Sequence, residues 1–458
     1  MHPGTTCLDT STATPEGRQQ PFDVTHRIVL AIAVPMTFAY VSTPLLGLTD
    51  TAVLGQFGRA ADLAGLGVAA VIFDLVFSLI SFIRTSTTGL VAQAFGRDDR
   101  GEEEAVFWRA VISGIAGGVS LVILSPLILY AGLAVIGPEP AAAAVATTYF
   151  YIRILSSPVR LINDALLGYV LGKGRGTIGL LLQTVLNGTN IALSVFLGLV
   201  LGYGVSGVAW ATVISEIVAA AAGFLIVLPA FKGQQHPSMI RLFERDKLIA
   251  LFALNRDITI RSLLLVASFV LLTRAGAAIS TVVLAANAVL MNFFMISAFF
   301  LDGMAAAAEQ LAGRSIGAQN LMAFRRSIRL TALWSFALSG FLAAAFLLSG
   351  SSVIAFLTTA ETVRAAAVEY LPWMALTGIT GALAFQMDGI YIGATWSKEM
   401  RNMMILSFVG YVIALEALTP LLGNHGVWLS LNLFLFLRGV TLAAATPRQI
   451  RQSFRSAH

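Results

Sequence analysis

Residues 105–136 read AVFWRAVISGIAGGVSLVILSPLILYAGLAVI, with Arg109 as the one charged side chain. A bilayer core is about 30 Å thick, and one helix crosses it in roughly 20 apolar residues. This stretch is therefore long enough to span a membrane. Lipid offers the backbone no hydrogen bonds, so spans must be helices or a closed barrel. Barrel strands would alternate apolar and polar residues, and no such alternation occurs here.

Working outward, the same kind of stretch recurs along the chain. Twelve spans can be placed, among them Val24–Leu54, Ala141–Leu171, Ala250–Ala275, Phe324–Leu348, Thr362–Ala394 and Val427–Ala445. The chain of 458 residues is 57% hydrophobic and 12% charged, about half the charge of a soluble globular domain. The expected fold is thus an all-α polytopic membrane protein of twelve transmembrane helices. The net charge of +5 is explained by cytoplasmic loops rather than by nucleic acid. The lone cysteine, Cys7, allows no internal disulfide and no cysteine metal site.

Loop charge alternates with the spans. One side carries Arg97, Arg100, Lys173, Arg175, Lys232, Arg241, Arg245, Lys247, Arg314, Arg325, Arg326, Lys398, Arg401 and the basic tail from Arg448. The other side has Arg59, Arg274 and Arg364. This bias predicts that both termini are cytoplasmic. Residues 1–23 lack the apolar core of a signal peptide and are expected to be a disordered cytoplasmic tail. Residues 447–458 are expected to form a second cytoplasmic tail.

The chain also repeats itself. Ala94-Phe95-Gly96 corresponds to Ser315-Ile316-Gly317, Leu171-Gly172 to Ile392-Gly393, and Leu201-Gly202 to Leu422-Gly423, all at an offset of 221 residues. Two lobes of six helices follow, residues 24–228 and 250–446, joined by a cytoplasmic linker at 229–249. An even number of spans gives both lobes one orientation, so a pseudo-two-fold axis along the membrane normal relates the two six-helix bundles. Met239–Leu248 is expected to form an amphipathic surface helix. Such a duplication suggests transport by alternating access, with substrate held between the lobes.

Ionisable residues inside spans mark cavities, partners or ion paths. The acids are Asp50, Asp74, Asp164, Glu216, Asp257, Asp302, Glu309, Asp388 and Glu416, and the bases include Arg84, Arg153, Arg160, Arg256, Arg261 and Arg438. Asp50 stands out because Pro35 lies upstream in the same span, and an interior proline kinks a helix. A carboxyl sunk there can take up and give back a proton. The other reading is an interfacial aspartate that caps the helix end. Met36, Tyr40, Met291, Phe293, Phe294, Met295 and Phe299 are soft or aromatic and suit a promiscuous substrate chamber, or else ordinary helix packing.

Pro44-Leu-Leu-Gly-Leu-Thr-Asp50-Thr-Ala-Val-Leu-Gly55 resembles the first span of the multidrug and toxic compound extrusion (MATE) family, in particular its DNA-damage-inducible F (DinF)-like branch. Arg84-Thr-Ser-Thr-Thr-Gly-Leu-Val-Ala-Gln-Ala-Phe-Gly96, Asn255-Arg-Asp-Ile-Thr-Ile-Arg-Ser262, Asp388-Gly-Ile-Tyr-Ile-Gly-Ala-Thr395 and Glu399-Met-Arg-Asn402 carry the same resemblance. It implies secondary active efflux of small amphiphilic, cationic drugs or metabolites, in exchange for H⁺ or Na⁺, across a bacterial inner membrane. It also implies that Asp50, Asn190 and Thr212 form a proton-coupling group. Asp388, with Asp302 and Glu309, would make a second titrating site or a structural polar network. Ser194 stands where many relatives have an acid, and Leu263 near the glutamate of the Na⁺-coupled branch, which favours H⁺.

Two other function classes compete. A lipid-linked sugar flippase would need several of Arg84, Arg153, Arg256 and Arg261 unpaired in the central chamber. A membrane-embedded enzyme would need a nucleophile–base pair or a metal cluster. All five histidines lie near the termini or in loops, and no metal-ligand spacing occurs. No Gly-rich loop with Lys and Ser or Thr is present, so no ATP and no other cofactor is expected.

Overall fold

The computed structural model describes residues 22–56, 59–80, 82–233 and 237–454. The expected tail residues 1–21 and 455–458 lie outside them. The N-terminal lobe comprises α1 (His26–Ser42), α2 (Pro44–Gly55), α3 (Ala60–Ile80), α4 (Phe82–Gly96), α5 (Arg100–Ile136), α6 (Pro140–Ile154), α7 (Ser157–Gly172), α8 (Gly176–Leu193) and α9 (Gly204–Val227). After the linker and its short α10 (Met239–Leu242) come α11 (Arg245–Ile279), α12 (Thr281–Gly317), α13 (Leu321–Leu357), α14 (Glu361–Gly393), α15 (Ser397–Leu422) and α16 (Asn424–Ser453).

Taken as rods, α1–α2, α3–α4, α5, α6–α7, α8 and α9 are six, and α11 to α16 are six more. Among the described residues, ten stretches are apolar and long enough to cross a membrane by themselves, and the α6–α7 pair, bent by 54°, gives an eleventh. The twelfth rod is α14. It packs among α12, α13 and α16, so its sequence answers to protein neighbours more than to lipid.

The duplication is written into the backbone. Non-glycine residues with positive φ are uncommon. Here Asp98 (56°) and Gln319 (50°) sit 221 residues apart, as do Gly174 (72°) and Thr395 (57°). The same turn thus recurs after equivalent helices, once with glycine and once with a residue that bears a side chain.

Several boundaries differ from the sequence reading. The linker helix covers only Met239–Leu242, because Arg245–Leu248 already begins the seventh rod. The last helix runs to Ser453, through most of the stretch expected as a tail, with Trp396 Nε1 donating to Ser453 Oγ at 3.0 Å. The fourth span is two helices, broken at Leu155–Ser156 ahead of Pro158, which has no backbone N–H to donate to the Ile154 carbonyl. Pro35 lies within an unbroken α1, and the first rod is interrupted instead at Thr43, before Pro44.

The lobes meet tightly at the end that carries residues 22 and 454, here the terminal end. Gln93 Nε2 donates to the Gly393 carbonyl at 3.0 Å and to Thr395 Oγ1 at 3.1 Å. A Cβ on Gly96 would strike the Arg314 carbonyl, and one on Gly317 the Gln93 carbonyl. Only glycine lets α4 and α12 approach so closely. The chain start is clasped to the other lobe: Arg326 donates to Asp23 at 2.8 Å, and Arg314 lies over the Phe22 ring. At the opposite, distal end, α2 packs on α3, α8 and α9 of its own lobe.

Candidate functional site: a buried carboxyl and a chamber between the lobes

In the N-terminal lobe, α2 brings Asp50 inward to 7% exposure. Ser194 Oγ donates to Asp50 Oδ1 at 2.9 Å. Ser194 also begins a π-helical segment, Ser194–Val200, where the backbone widens after α8. Such segments gather at functional sites. One turn earlier on α8, Asn190 Nδ2 donates to Thr212 Oγ1 at 3.0 Å and lies 3.4 Å from Ser215 Oγ. Asn190 Oδ1 is buried without a hydrogen-bond partner among the described residues. The structure thus joins Asn190 to Thr212 directly, and Asp50 to the same face of α8 through Ser194.

Two residues not singled out in the sequence, Tyr149 and Phe73, hold Arg153 in this neighbourhood. Arg153 Nη1 donates to the Tyr149 hydroxyl at 3.3 Å, and its guanidinium lies 4.6 Å from the Phe73 ring centre. Among the described residues no ion pair to Asp50 forms. Glu216 is occupied elsewhere: Asn163 donates to it at 2.6 Å and Arg160 lies 3.4 Å away. Asp50 is left as a buried carboxylate whose side-chain donor is a neutral hydroxyl. A buried charge without an ion pair is costly.

Between the lobes lies a chamber of about 360 Å³, a few turns inward from the terminal seam. Tyr40 and Arg84 come from one lobe, and Phe294, Met295, Asp302 and Glu309 from the other. Arg84 lies over the Tyr40 ring at 5.8 Å. Of the expected chamber residues, Tyr40, Phe294 and Met295 line it, as does Phe299. Met36 is fully buried against Gly179, and Met291 packs on the C-terminal core.

The expected second titrating site divides. Asp302 and Glu309 face the chamber, and Glu309 Oε1 has no hydrogen-bond partner among the described residues. Asp388 lines it too, but Arg261 holds it at 2.5 Å and Arg438 through a second, shorter contact. Two guanidiniums on one carboxylate make an ion-pair triad, the arrangement that the structural-network reading expects of Asp388. The position of Asp388 was legible in the sequence. Its partners were not, since Arg261 and Arg438 lie 127 and 50 residues away.

The comparisons with known proteins fit this geometry. The MatE family model matches residues 35–196 and 258–418, one stretch in each lobe. DNA damage-inducible protein F of Escherichia coli (strain K12) is 37% identical over 92% of this chain and 92% of its own length. Protein DETOXIFICATION 44, chloroplastic, of Arabidopsis thaliana is 26% identical over 90% of this chain and 80% of its own. Among solved structures, the outward-facing conformation of a multidrug resistance MATE family transporter of the MOP superfamily superposes with a TM-score of 0.86. That likeness covers 94% of this chain and 97% of the other at 16% identity, and concerns the fold.

Proposed function

This chain belongs to the MatE family of multidrug efflux transporters, and on that premise we propose that it exchanges H⁺ for small amphiphilic, cationic drugs or metabolites by alternating access. Asp50 carries the reading, as a buried carboxyl beside a widened helix turn with a hydroxyl as its side-chain donor. Protonation from the distal side would cancel its charge, let the α2–α8 contact rearrange, and release substrate outward. Loading from the terminal side would follow as the proton leaves inward. The two affinities must be reciprocally coupled.

Several observations favour this reading over its rivals. The chamber combines aromatic and methionine side chains with two carboxylates, a surface suited to varied organic cations. A proton needs one carboxylate, whereas Na⁺ needs several oxygens arranged around it; Ser194 and Leu263 supply no further acid. The flippase reading loses its cationic cavity, because Arg261 is paired with Asp388, Arg256 with Asp257, and Arg153 sits on Phe73. Arg84 alone of the four faces the chamber without an ion pair among the described residues. The basic loops support a cytoplasmic terminal end, and the likeness to the Escherichia coli relative supports a bacterial inner membrane.

The test is transport by the purified protein in proteoliposomes, with H⁺ and Na⁺ gradients imposed separately across a panel of organic cations. An H⁺ gradient alone is expected to drive exchange. Movement driven by Na⁺ alone, at equal pH on both sides, would contradict the proposal.

A further inference from the structure

A second cleft of about 580 Å³ opens at the terminal end, between α4 and α5 of one lobe and α11 and the α14–α15 turn of the other. Its rim is cationic. Arg97 lies in the α4–α5 loop, Lys247 in the first turn of α11, and Lys398 at the start of α15. The acids of the rim are already engaged: Glu102 takes Lys247 at 2.6 Å, Asp257 takes Arg401 at 2.7 Å, and Asp99 takes Arg241 at 3.1 Å. Arg97 and Lys398 are exposed and form no ion pair among the described residues. Below the rim the walls are mostly apolar, with Leu90, Val106, Ala110 and Leu254 beside the polar Ser86, Thr87, Ser113 and Asn255. Ala110 lies ten residues along α5 from Arg100, so at ~1.5 Å per residue the floor is about 15 Å deep.

Two exposed cations without ion pairs among the described residues, above a mostly apolar slot, describe one ligand chemistry. A soluble anion would leave the slot empty, and a neutral lipid would leave the cations unused. We propose that this cleft binds one anionic phospholipid, its phosphate at the Arg97–Lys398 rim and an acyl chain along the α5–α11 wall. Because the walls belong to both lobes, the lipid bridges them and favours the arrangement closed at the terminal end.

The full chain is tested in nanodiscs of phosphatidylglycerol and phosphatidylcholine with matched acyl chains, with retained lipid counted by native mass spectrometry. Each interfacial cation adds on the order of fivefold in affinity for an anionic lipid, so the wild type is expected to prefer phosphatidylglycerol by roughly tenfold or more. Arg97→Gln with Lys398→Gln is expected to lose that preference. Ala110→Phe, which fills the slot, is expected to lose retention while the protein still melts cooperatively. Equal retention of both lipids by the wild type, an unchanged preference in the double variant, or displacement by millimolar glycerol phosphate would each overturn the proposal.

Discussion

Asp50 and Asp388 are both buried carboxylates, and the company each keeps separates their roles. Asp388 sits between Arg261 and Arg438, and removing the shared carboxylate strands the buried Arg438 guanidinium. Breaking such a pair costs about 3–5 kcal/mol. Asp388→Asn is therefore expected to lower the thermal unfolding midpoint in detergent sharply. A midpoint like that of the wild type would show that the triad does not hold α14 to α16. Asp50, by contrast, has a serine. The sequence makes both acids conspicuous, since acids in apolar spans are rare, but burial partners depend on which helices become neighbours. The same applies to Met36. It has the chemistry of a chamber residue, yet it faces Gly179, a contact set by helix rotation rather than by residue type.

At the scale of the element, the terminal seam depends on glycines that meet backbone. Gly96→Val and Gly317→Val are each expected to splay α4 from α12 and abolish transport while leaving a monodisperse, helical protein. Full activity in either variant would contradict the seam. The start of α5 depends on Asp99, which caps it by accepting from the Glu102 amide at 2.9 Å. Burial raises the Asp99 carboxyl, but the Glu102 amide and the Arg241 and Arg97 guanidiniums outweigh it and hold it below the ordinary carboxylate range. Its contribution is present at neutral pH and is lost as pH falls below about 4. Asp99→Ala is expected to cost about 1 kcal/mol at pH 7, by thermal unfolding, with the gap from wild type narrowing in acid. A gap independent of pH would count against the cap. Helix existence was legible from apolar runs. The break at Thr43 and the 54° bend before Pro158 were not, because a proline signals a possible interruption without saying which neighbours let the helix turn.

For the whole molecule, the repeat was the most legible feature, because an offset of 221 residues survives in turns, glycines and helix starts alike. The conformation was not legible, since both lobes' sequences are compatible with contact at either end. Spin labels at Gln56 and Ile279 report the distal end, and labels at Arg97 and Arg325 the terminal end. Alternating access requires the two distances to change in opposite senses when substrate is added. Distances that rise or fall together would rule out rocking of two lobes.

The most direct test of the account is substrate-driven proton movement in proteoliposomes containing either the wild type or Asp50→Asn. The wild type is expected to move protons against the substrate gradient, and Asp50→Asn to move none while it still binds substrate. Proton movement by Asp50→Asn at the wild-type rate would contradict the assignment of the proton to that carboxyl.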